Sequence, residues 1–450
     1  MNKIENQMSF RKLLMFSLPS IVMMIFMSSY TIIDGFFVSH FVSSNALAAL
    51  NIVYPMSGLF FAIAIMFSTG GSALVGKFKG EGDERKANQC FSLIFYVALI
   101  LSTLFGIIMI IFLNPILTFL GADASTIGYS KEYMIIIEIT APICMLQILA
   151  QSYLVLDSNP KLGLILTIAS GITNILFDYI LMGPLNMGIS GAAVATSMGY
   201  FITGIGGLVY FVFNKNGLRL GKTSFKLSWI KYSCINGSSE MVNNLASAIV
   251  TLLFNIFMMK LAGNNGIAAI TAILYAQFVM NSFFMGYSMG VAPVFSYHFG
   301  AGHRDYIKSI RNKSYIFILI SSLIIFIMAI SSAKIAGRMF SNGDSNIYEL
   351  IVRGTYLFSI CYLFAGLNIF NSSLFTALND GLTSALISVL RTLVFIVIGM
   401  FGLAYLLKID GVFLAVPFAE ALTIITTLTF YHHQYKKIDN LMLSFQKDSV

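Results

Sequence analysis

Long apolar runs separated by short polar ones repeat along the whole chain. They fall at 13–37, 46–74, 91–113, 132–154, 162–183, 189–212, 233–259, 270–297, 314–333, 351–376, 383–406 and 412–434. Each is long enough to carry an α-helix across a hydrocarbon core about 30 Å thick. Inside the runs, apolar residues are continuous rather than alternating with polar ones, which excludes a membrane β-barrel. The pattern predicts an all-α integral membrane protein with twelve transmembrane helices.

Composition narrows the class further. The 450 residues are 57% hydrophobic and 10% charged, whereas a soluble domain is about 25% charged. Aromatic residues at 14%, with only eight prolines, exclude a disordered or fibrous chain. A net charge of +8 on a soluble protein would suggest nucleic acid, but its placement indicates topology. With the N-terminus inside, inner segments hold Lys3, Arg11, Lys12, Lys77, Lys79, Arg85, Lys86, Lys161, Lys215, Arg219, Lys222, Lys226 and Lys231. Arg304, Lys308, Arg311, Lys313, Lys436, Lys437 and Lys447 bring that set to 20, against six outside: Lys131, Lys260, Lys334, Arg338, Arg353 and Lys408. That bias makes both termini cytoplasmic and removes the nucleic-acid reading. The first run has no small-x-small exit site, so no cleavable leader is expected. Cys90, Cys144, Cys234 and Cys361 form no CxxC pair, and the five histidines have no metal-ligand spacing. Without a nucleophile elbow, P-loop or zinc pattern, neither an enzyme nor an ATP-driven pump is expected, and no organic cofactor.

An internal repeat organises the spans. One constant shift of the chain against itself brings Asn45–Leu50 onto Asn265–Ile270, Gly80-Glu81-Gly82 onto Gly300-Ala301-Gly302, and Ser158-Asn159-Pro160 onto Leu378-Asn379-Asp380. Under the same shift Ile189-Ser190-Gly191 meets Ile409-Asp410-Gly411. Six helices separate equivalent points, so the halves are parallel repeats about an axis along the membrane normal. The expected division is an N-terminal six-helix lobe (1–214), a Lys-rich cytoplasmic linker (215–232) and a C-terminal six-helix lobe (233–450). Two lobes with a cavity between them suit a transporter that alternates its access.

Ionisable groups inside spans are costly and are functional candidates. They are Asp34, Glu138, Asp178, Glu240, Arg391 and Glu420. Counting from the inner cations puts Asp34 and Asp178 in the outer half of the bilayer. Asn174 shares a helix face with Asp178 at i, i+4, and Thr196 enters from outside at similar depth. Two carboxylates, an amide and a hydroxyl are hard oxygen donors suited to a proton or a monovalent cation, with Na⁺ possible at Asp34, Asn174 and Asp178. The bland reading is polar glue between helices. Glu240 and Glu420 are candidates for a substrate cavity, and Arg391 either joins them or neutralises one. Glu138 reads as closer to the outer surface, structural or water-facing. Pro19, Pro55, Pro142, Pro293 and Pro417 interrupt spans and read as static kinks rather than hinges.

Several motifs carry a resemblance. Ser17-Leu18-Pro19 opens the first span, and Asp34-Gly35-Phe36-Phe37-Val38 places an acid near its outer end. Gly76-Lys77-Phe78-Lys79-Gly80-Glu81-Gly82, Asn174-Ile175-Leu176-Phe177-Asp178 and Gly191-Ala192-Ala193-Val194-Ala195-Thr196 follow. The second half adds Ser296–Gly302 and Thr376–Gly381. Over nearly its whole length the chain resembles the multidrug and toxic compound extrusion (MATE) family, in its bacterial multidrug-export branch. The resemblance implies a Na⁺- or H⁺-coupled antiporter of a bacterial cytoplasmic membrane, working as a monomer on lipophilic, usually cationic, compounds. It also implies that Asp34, Asn174, Asp178 and Thr196 form the coupling site. Two departures stand out: Gly237-Ser238-Ser239-Glu240 where a proline often opens the seventh span, and Asp380 where a small residue is commoner. The alternatives are a major-facilitator transporter, also of two parallel repeats, and a lipid-linked oligosaccharide flippase. The buried residues, mostly acids, disfavour the flippase.

Overall fold

The computed structural model describes residues 4–341 and 343–447, with side chains at 31–32, 35–36, 39, 44–45, 47–48 and 431–447 outside the description. Lys3, Lys436, Lys437 and Lys447 of the cation count, His432, His433 and part of the Asn45–Leu50 landmark therefore lie outside the described residues.

The regular structure of the described chain is all helical, with no strand. The first half comprises α1 (Phe10–Phe41), α2 (Ser44–Gly80), α3 (Glu84–Ile111), the short α4 (Leu113–Phe119), α5 (Ile127–Ile139), α6 (Ala141–Leu156), α7 (Pro160–Met182) and α8 (Gly188–Phe213). The second comprises α9 (Leu227–Gly300), α10 (Arg304–Phe340), α11 (Ser345–Phe358), α12 (Tyr362–Ala377), α13 (Gly381–Val389), α14 (Phe395–Leu407) and α15 (Ile409–Lys447). A straight helix of 74 residues would be about 110 Å long, several times a membrane. The backbone of α9 leaves helical geometry at Gly263 (φ 61°, ψ −148°), which divides it into two spans, 227–262 and 264–300. Ten helical segments, counting α9 once, are long and apolar enough to cross a membrane, and the bent pair α5–α6 makes an eleventh. With α9 divided, the described residues hold the twelve expected spans. Large exposed apolar side chains such as Ile111, Phe213, Leu323 and Leu406 line the outside of the bundle, where a bilayer would cover them.

Of the five span prolines, only Pro142 marks a break. Pro19, Pro55, Pro293 and Pro417 lie inside continuous helices. At Pro142 the axis turns by 56° between α5 and α6. Pro142 has no N–H to give the carbonyl of Glu138, four residues back. At the same point the Thr140 hydroxyl donates to the carbonyls of Ile136 (3.0 Å) and Ile137 (3.1 Å).

The repeat is written into the backbone as well. Gly82 and Gly302 both have positive φ (79° and 69°), as do Gly188 and Lys408 (60° and 54°). Each pair is related by the same shift that aligns the sequence landmarks. Asp380 caps α13, its Oδ1 accepting from the Thr383 N–H, which gives the unusual acid a local role. No kink replaces the missing proline in the seventh span. Gly237 there packs on the Met66 carbonyl of α2 with no room for a Cβ.

The lobes meet through small residues in the half of the bundle nearest the N-terminal segment. Gly70 lies against Ser233 and Gly237, Gly80 against Tyr297, Gly300 against Lys77, and Gly286 and Gly290 against Ser20, Ile21 and Ser17 of α1. A Cβ at any of these would strike the facing helix, so the helices approach backbone to backbone. The N-terminal segment straps across this face. The Ile4 N–H donates to Ser158 Oγ in the first lobe (3.0 Å), and the Met8 N–H to the Tyr306 hydroxyl in the second (2.8 Å). Residues 214–226 are not helical. Their start is tied to the first lobe by Asp157, which accepts from the Leu218 N–H (2.8 Å), Asn214 Nδ2 (2.7 Å) and the Tyr210 hydroxyl (2.8 Å). Residues 227–232, read from the sequence as linker, already belong to α9.

Candidate functional site

Two parallel helices and one antiparallel helix build the first-lobe site. Gly171 of α7 lies against Phe26 and Tyr30 of α1, and two turns on Tyr179 stacks edge-on against Phe41, with ring centroids 6.0 Å apart. Asp34 lies between those two levels on α1, and Asn174 and Asp178 lie between them on α7. Their carboxylates come within hydrogen-bonding reach of each other. Helix α8 runs back along α7. The Ser170 hydroxyl donates to the Gly199 carbonyl (2.7 Å), and Gly199 faces Asn174. Thr196, one turn nearer the far end, therefore faces the Asn174–Asp178 level.

All four residues singled out in the sequence thus converge. Asp178 is fully buried and Asn174 nearly so. Five of their oxygens are buried without a hydrogen-bond partner: Asp34 Oδ1, both Asp178 oxygens, Asn174 Oδ1 and Thr196 Oγ1. Buried polar atoms almost always have partners, so a cluster of orphans needs an explanation. No Lys or Arg is among the groups acting on either carboxylate. Two carboxylates in contact cannot both stay charged in a dry site. A shared proton relieves them, and so does a monovalent cation held by these oxygens. The donor set, all oxygen and carrying two carboxylates, fits Na⁺ as well as H⁺.

Tyrosines close the site. Tyr133 of α5 lies beside Thr196 and within electrostatic range of both carboxylates. Tyr30 stands one turn below Asp34 with Gln147 beside it, and Tyr200 is within electrostatic range of Tyr30, Tyr133 and Asp34. The sequence reading missed all three. Their only signal was a phenol inside an apolar run, where tyrosines ordinarily pack or mark an interface.

The second-lobe charges have the opposite character. Arg391 sits in a π-helical turn, Leu390–Val394. Its Nε donates to both oxygens of Glu420 (2.9 and 3.1 Å), and its Nη2 to Oε1 (2.9 Å). Asn368 Nδ2 donates to Glu420 Oε2 (2.7 Å) and to the Glu420 main-chain carbonyl (2.9 Å). Glu420 is therefore neutralised. Glu240 is separate: Asn243 Nδ2 is 3.4 Å from its Oε2, and Arg391 acts on it only through space. Arg391 and Glu420 thus form a closed pair, with Glu240 standing apart from it. No cluster of three or more His, Cys, Asp or Glu that could hold a metal ion occurs among the described residues.

Residues 19–180 and 241–401 match the family model MatE, so the match is itself repeated, once in each half of the chain. The multidrug export protein MepA of Staphylococcus haemolyticus is 22% identical over 421 residues, covering 92% of each chain. A FAD transporter of Shewanella oneidensis is 23% identical over 426 residues, again 92% of each. Among solved structures, an outward-facing multidrug-resistance MATE transporter superposes with a TM-score of 0.90 at 16% identity, covering 98% of this chain and 97% of the other. A variant of the Vibrio cholerae MATE transporter VcmN gives 0.90 at 17% identity, covering 96% and 98%.

Proposed function

This chain belongs to the MatE family of multidrug-export transporters, and from that premise we propose that it is an antiporter coupled to Na⁺ or H⁺. Asp34, Asp178, Asn174 and Thr196 would hold the coupling ion, and lipophilic cations would leave through the space between the lobes. The observation carrying the proposal is the cluster of five buried, partnerless oxygens contributed by these four residues. An ion bound there cancels charge and completes the coordination, so binding energy is available to favour one arrangement of α1, α7 and α8 over another. Tyr133 and Tyr200 shield the site and keep the phenol oxygens near the ion. Glu240 supplies the uncompensated negative charge that a cationic substrate would meet in the second lobe. The Lys and Arg bias puts the N-terminal strap, and the face where the lobes are closed, in the cytoplasm. In that orientation the ion site lies in the outer half, within reach of external ions.

An anionic substrate, as in the relative named for FAD, would need an unpaired cation at depth. The deep cation of this chain, Arg391, is already committed to Glu420, so the cationic reading is favoured. The same fact weighs against a flippase for a pyrophosphate-linked lipid. The test is efflux of a fluorescent lipophilic cation from cells. Asp34→Asn and Asp178→Asn, each folded and membrane-inserted, should lower it about tenfold or more, the scale of a typical coupling energy. Efflux at wild-type rate by both variants would overturn the site assignment.

A further inference from the structure

We propose that Glu138 is a second proton-binding site of the first lobe, distinct from the Asp34/Asp178 pair and placed at the break between α5 and α6. The proposal rests on the coupling role given above to that pair. The sequence reading placed Glu138 closer to the outer surface, structural or water-facing. It is 4% exposed, and its Oε2 has no partner. It lies five residues beyond Tyr133, about 7.5 Å further along α5 from the far end. Two residues further on, the Thr140 hydroxyl is 2.9 Å from that of Ser197, the neighbour of Thr196, so Glu138 stands at about the depth of the paired aspartates, on the α5 side of the lobe.

Its surroundings are specific. Glu138 occupies the last turn of α5, immediately before the 56° bend. Its own carbonyl is the one that Pro142 cannot serve, and α3 packs against that carbonyl through Gly106. Of the elements packed on α5, α6 contributes Cys144, which feels the Glu138 charge, and α8 contributes Tyr200, which lies beside Cys144. No titratable side chain of α2, α3 or α4 acts on Glu138.

The ligand follows from the donors available. A monovalent metal cation needs several oxygens at once, and the neighbouring hydroxyls are committed. The Thr140 hydroxyl serves Ile136 and Ile137, and the Ser197 hydroxyl donates to the Ala193 carbonyl (2.7 Å). Glu138 offers only its own two oxygens, which suffice for a proton. Binding is one step: the carboxylate takes up H⁺ and becomes a neutral acid, with no other reactant. The helix break gives that step a mechanical partner, because the charge changes at the point where α5 and α6 can re-angle.

The test uses the full chain in liposomes. Infrared difference spectra between pH 5 and pH 9 should contain a carboxylic C=O band that disappears in Glu138→Gln and shifts in Glu138→Asp. Protons moved per substrate should fall by one in Glu138→Gln. A purely structural role would alter thermal stability but neither readout. In the unmutated protein, an apolar carbodiimide should form an adduct on Glu138 whose yield falls as pH rises. An unchanged band and proton ratio in Glu138→Gln, or a carbodiimide adduct absent or independent of pH, overturns the proposal. Asp34→Asn and Asp178→Asn run in parallel. If they retain coupled efflux, the underlying coupling reading fails. If they lose it while Glu138→Gln matches wild type, only the Glu138 proposal fails.

Discussion

A carboxylate inside a membrane persists when something removes its charge, and the two lobes do this differently. Glu420 has a permanent partner in Arg391 and a second donor in Asn368. Asp34 and Asp178 have each other and no cation of the chain. The first arrangement is static and the second suits an exchangeable ligand. Removing one member of the static pair strands a buried charge, which costs about 3–5 kcal/mol. Arg391→Leu should accordingly lower the melting temperature of the purified protein in detergent, while Arg391→Leu combined with Glu420→Leu should recover most of the loss. Equal melting temperatures for the single variant and wild type would show that Glu420 does not depend on Arg391. At this scale the first-lobe site was legible, because acids, an amide and a hydroxyl at matching depth are rare in apolar runs. That Arg391 could neutralise one of the second-lobe acids was legible too, but not that the acid is Glu420. Their pairing joins two different helices and depends on a π turn that no spacing rule announces. Tyr133 was hidden for another reason: a tyrosine in a span is ordinary until its neighbours are known.

At the level of elements, apolar length was enough to find twelve spans, and the constant offset between the halves was enough to pair them. What it could not give was which interruptions break a helix. Four of five span prolines sit in continuous helices, whereas Pro142 coincides with a 56° turn, where the Thr140 hydroxyl bonds the carbonyls of Ile136 and Ile137. Pro142→Ala restores a donor for the Glu138 carbonyl and should straighten the α5–α6 pair. Spin labels on the far end of α5 and the connector end of α6 would report it as an increased distance; an unchanged distance would place the cause of the bend elsewhere. The glycine contacts between lobes make a second prediction. A Cβ at Gly237 or Gly300 would meet the backbone of α2, so Gly237→Ala and Gly300→Ala should loosen the closed face. Introduced cysteines near Lys77 should then label faster with a hydrophilic reagent than in the parent protein. Labelling at the parent rate would mean that the lobes absorb the methyl group without separating.

For the whole molecule, the charge distribution that first resembles that of a polyanion-binding protein becomes a statement about topology and transport. Parallel six-helix lobes packed at one face place a cluster of buried, partnerless oxygens in one lobe and a buried Arg391–Glu420 pair in the other. A strap from the N-terminal segment holds both lobes at the closed face. The account rests on the two acids in the first lobe converting an ion gradient into substrate movement. The measurement that tests this most directly is efflux of a lipophilic cation from proteoliposomes. It is run under an imposed Na⁺ gradient at fixed pH, then under a pH gradient at equal Na⁺, for the wild-type chain and for Asp34→Asn with Asp178→Asn. Transport that follows at least one gradient in the wild type and neither in the double variant is the expected result. Transport by the wild type that follows neither gradient, or a double variant that still follows one, would contradict the account.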